Sequence, residues 1–347
     1  MIVDEAIRIL VLSMLSFIVA LAITPLILRL LTKYSLTKQI RALEAAPIYF
    51  RLHQKKEGTP TMGGVIIWGV VLGLALVFWI LDSVFSGIFS YLNFVDRAQT
   101  YLPIAAMAIA GVLGLFDDIL GVFRIGPKGG GLQVRHKFIL YVLLALIGAW
   151  WFYSRLGFDI LYVPFIGNVS INEWYVPLFI FIIVASAFSA NETDGLDGLL
   201  GGVTLFAFGA LTVVAFALGR YDLAAFGGVT MGALLAFLWF NIYPARFFMG
   251  DTGSMSLGIT MGVIAMLTNT ALFLPFFAFI LVIETLSVMV QITSRKVFGR
   301  KVFFSTPLHH HFEALGWPES QITMRFWIIS AVMSGLGLAV YFISKLT

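Results

Sequence analysis

Apolar residues run through this chain in long stretches, interrupted by short polar clusters. That pattern predicts membrane-crossing helices, because roughly 17–25 apolar residues span a hydrocarbon core. Ten stretches qualify, at about 6–32, 61–81, 100–118, 138–155, 174–190, 199–218, 223–242, 254–270, 272–293 and 324–344. Several contain Gly or Pro, which neighbouring membrane helices accommodate. The expected fold is an all-α polytopic membrane protein of about ten transmembrane helices, a single integral membrane domain over 1–347. One segment departs from the pattern. From Phe158 to Trp174 the chain reads FDILYVPFIGNVSINEW, alternating apolar and polar residues around Gly167-Asn168. It predicts a small β-hairpin at the outer surface, with an irregular loop as the alternative.

Composition reinforces this picture. The chain is 60% hydrophobic and 12% charged, about half the charged fraction of a soluble domain. Too little polar surface remains to cover a water-soluble body, so lipid must cover much of it. Cysteine is absent, which excludes disulfides, thiolate nucleophiles and Cys-ligated metals and leaves the redox compartment unread. Asp4 and Glu5 precede Arg8, and the apolar stretch after them is too long for a signal peptide, so it is expected as the first helix of the mature chain.

The net charge of +4 matters less than where the charges lie. Sixteen Lys and Arg residues, among them Lys38, Arg41, Arg51, Lys55, Lys128 and Lys301, fall after spans 1, 3, 5, 7 and 9. Five lie on the opposite side: Arg8, Arg97, Arg155, Arg220 and Lys345. The positive-inside rule places the odd-numbered loops in the cytoplasm and both termini outside. Anionic ligands are a second source of the same bias.

Five polar clusters fall on the basic side. Lys55 to Gly64, KKEGTPTMGG, offers hydroxyls, backbone N–H groups and positive charge to a phosphate; the plain alternative is a Pro-initiated helix start. Asp117-Asp118 closes the third span, where two adjacent carboxylates call for a cation or a proton, or else a solvated helix end. Asn191 to Gly198, NETDGLDG, places Asp194 and Asp197 three apart and suits a ligand or metal more than a bare loop. Asn241 to Ser254 carries Phe247, Phe248 and Asp251; the phenylalanines suit the core or a stacked base, and Asp251 suits a helix cap, a metal, or both. Pro307 to Glu313 holds three consecutive histidines, a spacing unlike zinc sites, which leaves exposed imidazoles, anion contact or proton transfer. Together the clusters supply hard oxygen ligands for Mg²⁺, with Mn²⁺ as the alternative, and cations for phosphate. They suit phosphoryl transfer between a water-soluble phosphate compound and a lipid.

At these residues the chain resembles the phospho-N-acetylmuramoyl-pentapeptide-transferase (translocase I) family, a branch of the polyprenyl-phosphate N-acetylhexosamine-1-phosphate transferases. The motifs GTPTMGG, FDD, NxTDGLDGL, NxYPAxxFMGDTGS and PLHHHFE carry the resemblance over nearly the whole chain. It implies transfer of phospho-MurNAc-pentapeptide from UDP-MurNAc-pentapeptide to undecaprenyl phosphate in the bacterial inner membrane, giving lipid I and UMP, the first membrane step of peptidoglycan synthesis. It further implies Mg²⁺ at Asp251, and catalytic roles for Asp117, Asp118, Asp251, His309, His310 and His311. Substrate contacts are implied for Lys56, Thr61, Lys137, Asn191, Asp194, Gly195, Leu196, Asp197, Asn241, Phe248 and Gln291. The expected partners are the two substrates, membrane lipid and a second copy of the chain. Two departures stand out: Phe188-Ser189-Ala190-Asn191-Glu192-Thr193 replaces the family's NAVNLT pattern and adds the Glu192 charge, and the run Gly129-Gly130-Gly131 lengthens the loop after Lys128.

Two other readings compete. A different UDP-HexNAc donor would leave the same acids in place. A transporter would place acids inside the spans, where Glu284 is the clearest example.

Overall fold

A computed structural model describes residues 2–37, 56, 58–96, 99–126 and 130–346. Lys38, Arg41, Arg51, Lys55, Glu57, Arg97 and Lys128, which entered the charge and phosphate readings, lie outside the described residues. Helices dominate: α1 (Ile2–Lys33), α2 (Val65–Val84), the short α3 (Ile88–Leu92), α4 (Tyr101–Val122) and α5 (Val134–Trp150) come first. After the hairpin follow α6 (Tyr175–Thr193), α7 (Leu199–Ala217), α8 (Tyr221–Asn241) and α9 (Gly250–Leu267). The chain ends with the short α10 (Leu274–Phe277), then α11 (Phe279–Phe298), the short α12 (Leu308–Ala314) and α13 (Glu319–Leu346).

Eight of these helices are long and apolar enough to cross a membrane, and a bent pair adds up to one more. The pair, Ala271–Phe277 and Phe279–Phe298, turns by 90° at Ala278, where the span expected over 272–293 is broken. The remaining expected span, 254–270, is present as α9 but falls short of the others in apolarity. The reason is its place. Every α9 residue except Asp251 is buried, mainly against α4 and α6. A helix shielded by protein can carry the Gly, Ser and Thr that allow close packing in membranes. Gly114 of α4 shows how close: a Cβ there would lie 2.3 Å from the Asp251 carbonyl oxygen.

Burial sorts the other helices into inner and outer. In α8, 78% of the apolar window is buried, against 22% in α1, whose outward leucines, isoleucines and valines face the lipid. The second span begins later than expected because Thr61 to Gly64 forms a turn, with Met62 at φ 69°.

The hairpin is present, as β1 (Ile160–Val163) paired antiparallel with β2 (Gly167–Ser170). Its turn is Pro164-Phe165-Ile166, not Gly167-Asn168. Gly167 opens β2 at φ 93°, a conformation that suits the residue closing a three-residue hairpin loop. Tyr162 ties the hairpin down: its N–H donates to Asn269 Oδ1 at 2.9 Å and its hydroxyl to the Ser344 carbonyl at 2.6 Å.

Candidate active site

The predicted acids gather at the opposite end of the bundle from the hairpin, where α4, α6 and α8 end and α2, α5 and α9 begin. Segment 191–197 runs through three paired clusters there.

In the first, Asp117 from the last turns of α4 and Asp251 from the first turn of α9 meet at Lys137 of α5. Lys137 Nζ lies 2.8 Å from Asp117 Oδ2 and is also paired with Asp251 Oδ2. Burying a carboxylate unpaired costs several kcal/mol, and the ammonium offsets two of them. Asp117 also accepts a hydrogen bond from the Leu132 N–H. The Asn191 amide donates to Asp251 Oδ1 and, at 3.2 Å, to Ser254 Oγ. Asp118 turns to the main chain, where its two oxygens accept hydrogen bonds of 3.0 Å from the N–H groups of Asp251 and Thr252. The α9 N-terminus is thus capped from α4, and the cap expected of Asp251 itself is supplied by Asp118. Gly250, at φ 76°, admits this approach, since a Cβ there would lie 2.5 Å from Asp118 Oδ2. Beside it the buried Thr61 hydroxyl has no hydrogen-bond partner among the described residues.

The second cluster forms around Lys56. Its Nζ lies 2.7 Å from Asp197 Oδ1 and 2.5 Å from Glu319 Oε1, and 5.8 Å from the Phe248 ring centroid. Burial works against the Lys56 charge, but Glu319 and Asp197 outweigh it and hold its pKa above the ordinary lysine value. Glu319 also accepts from the Asp197 N–H at 2.6 Å, and Asp197 Oδ2 from the Ala245 N–H at 3.0 Å. The amide of Asn241 joins the Gly198 N–H to the Phe247 carbonyl, so it holds the loops carrying Asp197 and Phe248.

The third cluster explains the acid inside the bent span. Glu284 Oε2 lies 2.9 Å from His309 Nδ1, both side chains fully buried, and the carboxylate also accepts the His309 N–H at 3.1 Å. His309 Nε2 faces Gly195, where a Cβ would stand 2.2 Å away. The imidazole thus joins the site through segment 191–197. His310 pairs with Glu313 at 2.6 Å. His311 accepts from the Phe304 N–H at 3.2 Å and stacks on that ring.

The structure therefore brings together Asp117, Asp118, Lys137, Asn191 and Asp251, then Lys56, Asp197 and Phe248, with Asp194 and Gly195 between them and His309. Leu196 is buried in the core. Gln291 is not turned to these clusters: its amide accepts the N–H groups of Val302 and Phe303 and donates to the Phe303 carbonyl. It shapes the loop before α12. Glu319 was missed because an acid after Pro318 reads as an ordinary helix start. Its only sequence signal is the excess of Lys over acids in the segment entering α2.

Among the described residues no three His, Asp or Glu side chains form a metal cage. Asp117 and Asp251 nonetheless converge on a single cation, the Lys137 ammonium. Magnesium commonly binds through one or two carboxylates plus substrate phosphates and water, and this donor set fits that mode.

Known proteins resemble this chain over nearly its whole length. Residues 100–269 match the glycosyl transferase family 4 model, and residues 56–67 match the phospho-N-acetylmuramoyl-pentapeptide-transferase signature 1. The chain is 39% identical over 325 residues to phospho-N-acetylmuramoyl-pentapeptide-transferase of Geobacillus kaustophilus, covering 93% of this chain and 94% of that one. It is 37% identical to the protein of the same name from Anoxybacillus flavithermus, covering 93% and 95% of the two chains. The Chloroflexus aurantiacus protein of that name is 37% identical over 355 residues, covering 98% and 92%.

Proposed function

Because the chain belongs to the phospho-N-acetylmuramoyl-pentapeptide-transferase family, we propose that the clusters around Lys137, Lys56 and His309 are its catalytic machinery. The reaction moves phospho-MurNAc-pentapeptide from UDP-MurNAc-pentapeptide to undecaprenyl phosphate, giving lipid I and UMP. The convergence of Asp117 and Asp251 on Lys137 carries the assignment.

An oxygen of the lipid phosphate attacks the β-phosphorus of the donor. The bond from that phosphorus to the bridging oxygen breaks, and UMP leaves with the electron pair. A magnesium ion at Asp251, with Asp117 beside it, supplies neutralisation of the pyrophosphate charge when bound. Lys137 adds a fixed positive charge, and Asn191 orients the Asp251 carboxylate. Asp118 acts at one remove, by fixing the first turn of α9. Asp117 is placed to take a proton from the lipid phosphate, though a phosphate monoester loses its second proton near pH 6 and needs little help at neutral pH. Lys56 and the Thr61 hydroxyl face the donor phosphates, and Phe248 with residues 194–197 faces the nucleoside. His309 to His311 sit on the loop that meets the muramoyl-peptide.

In this reading the active-site end of the bundle faces the cytoplasm at the bacterial inner membrane and both termini lie outside. The basic loops support that orientation. The reading includes two copies per particle, which the mass of the detergent-solubilised protein tests. The central experiment supplies purified protein with UDP-MurNAc-pentapeptide and undecaprenyl phosphate. UMP release should require Mg²⁺ or Mn²⁺ and cease with a chelator. Undiminished release in chelator would refute the metal assignment.

A further inference from the structure

A second polar site lies at the opposite end of the bundle. The hairpin, the α7–α8 turn, the end of α9 and the end of α13 border an open cavity of about 450 Å³. Arg220, Lys345, Asn269 and Asp159 line it. Its volume falls within the usual range for small-ligand sites, about 300–1,000 Å³.

The charges in it are not balanced. The Arg220 guanidinium makes no hydrogen bond or ion pair with another described residue, and burial pulls its pKa below the ordinary arginine value. Lys345 is held by aromatic rings rather than by an acid: its Nζ lies 3.4 Å from the Tyr162 ring centroid and 5.6 Å from that of Tyr341. Tyr341 in turn lies within electrostatic reach of Arg220, so the two cations share one neighbourhood. Asn269 uses its Oδ1 to accept the Tyr162 N–H, which leaves its Nδ2 as a donor without a partner among the described residues. Asp159 is the single carboxylate lining the cavity, and no cation pairs with it among the described residues.

Two cations and an amide donor therefore line a cavity holding one acid. A guanidinium fork beside an ammonium is the donor set that recognises phosphate oxygens. We propose that this cavity is a phosphate-binding site, separate from the catalytic clusters. Phosphate could reach it on a lipid headgroup or as the free ion. The apolar part of the lining, which includes Leu156, Phe158, Ile160 and Leu218, suits a headgroup attached to a lipid.

The test uses the full chain in a neutral detergent. Native mass spectrometry measures retention of phosphatidylglycerol against phosphatidylcholine, and thermal shift measures binding of inorganic phosphate. Expected is retention of phosphatidylglycerol or stabilisation by phosphate, weakened roughly tenfold or more in R220Q and in K345Q, with UMP release unchanged. Phosphatidylglycerol retention alone identifies a lipid headgroup, and stabilisation by inorganic phosphate identifies the free ion. Asp159→Asn guards against a folding artefact, because removing the lone acid should tighten binding several-fold, a gain that misfolding cannot produce. Absence of binding by both probes, or binding indifferent to all three substitutions, would overturn the proposal.

Discussion

Asp118 Oδ1 accepts a hydrogen bond of 3.0 Å from the main-chain N–H of Asp251. The second oxygen does the same for Thr252. One acid of the adjacent pair thus holds the backbone of α9, while the other, Asp117, shares Lys137 with the Asp251 side chain. Two neighbouring carboxylates of like appearance in sequence have different work.

The division predicts different losses. D251N keeps the side chain's size and removes its charge, so turnover should fall by about 10²–10³, the scale of one lost electrostatic contact in a transition state. Its melting temperature should change little. D118N replaces one accepting oxygen with an amide donor that faces a backbone N–H. Stability should drop by about 0.5–2 kcal/mol, the usual range for a lost helix cap, together with activity. Thermal unfolding and UMP release, measured on both variants, separate the two. Equal melting temperatures for D118N and the parent would remove the capping role.

His309 carries a pH dependence whose sign can be worked out. Burial disfavours its charged form, but Glu284, through charge and hydrogen bond, outweighs burial, with Glu313 and Glu192 adding to it, and raises the pKa above the ordinary 6.5. The neighbouring His310 ring, 4.1 Å away between centroids, belongs to the same group. A folded-state pKa above the unfolded one means the stabilisation is complete below about pH 6.5. It is lost as pH rises through the folded value. Melting temperature should therefore decline on the alkaline side in the parent, and E284Q should flatten that decline. A parent profile that instead rises through this range would contradict the pairing.

Much of the architecture was legible because lipid imposes a long apolar period on every exposed helix. The limits of legibility follow from the same physics. The break at Ala278 carries no special residue, only a backbone of φ −113°, ψ 36°, and it depends on what packs around it. The α9 helix was recognised even though its buried position releases it from the need for apolar residues. Within the site, residue types announced the acids and the lysines. Partnership did not, because Lys137 and Asp251 are separated by more than a hundred residues and meet only through the packing of α5, α4 and α9. Glu284 read as an isolated intramembrane acid until its buried histidine partner was seen.

Orientation gives a prediction independent of chemistry. The native chain has no cysteine, so single cysteines can be introduced without a background. A cysteine at Lys301 should react with a membrane-impermeant thiol reagent only from the cytoplasm, and one at Asn168 only from outside. Both positions are exposed, in the loop before α12 and in the hairpin. Labelling of the two from the same side would be incompatible with the proposed orientation.

The last prediction concerns how the donor is recognised. Phosphoryl transfer itself needs the acids and the cations, and these gather around Lys137 and Lys56. A muramoyl-pentapeptide adds carboxylates that a plain HexNAc donor lacks, and something beyond those clusters must meet them. The loop from Arg295 to Arg325 is the candidate: Gln291 clamps its start through Val302 and Phe303, and His309 anchors its helix to Glu284. Between these anchors His310 pairs with Glu313, its ring half-buried beside His309. H310A should therefore raise KM for UDP-MurNAc-pentapeptide by tenfold or more and leave the affinity for undecaprenyl phosphate within about twofold, since each tenfold corresponds to about 1.4 kcal/mol of lost contact. If lipid affinity collapsed while donor binding held, the loop would serve the acceptor instead. A fall in kcat with both affinities intact would assign His310 to charge stabilisation in the transition state, leaving donor choice to Lys56 and the 194–197 turn.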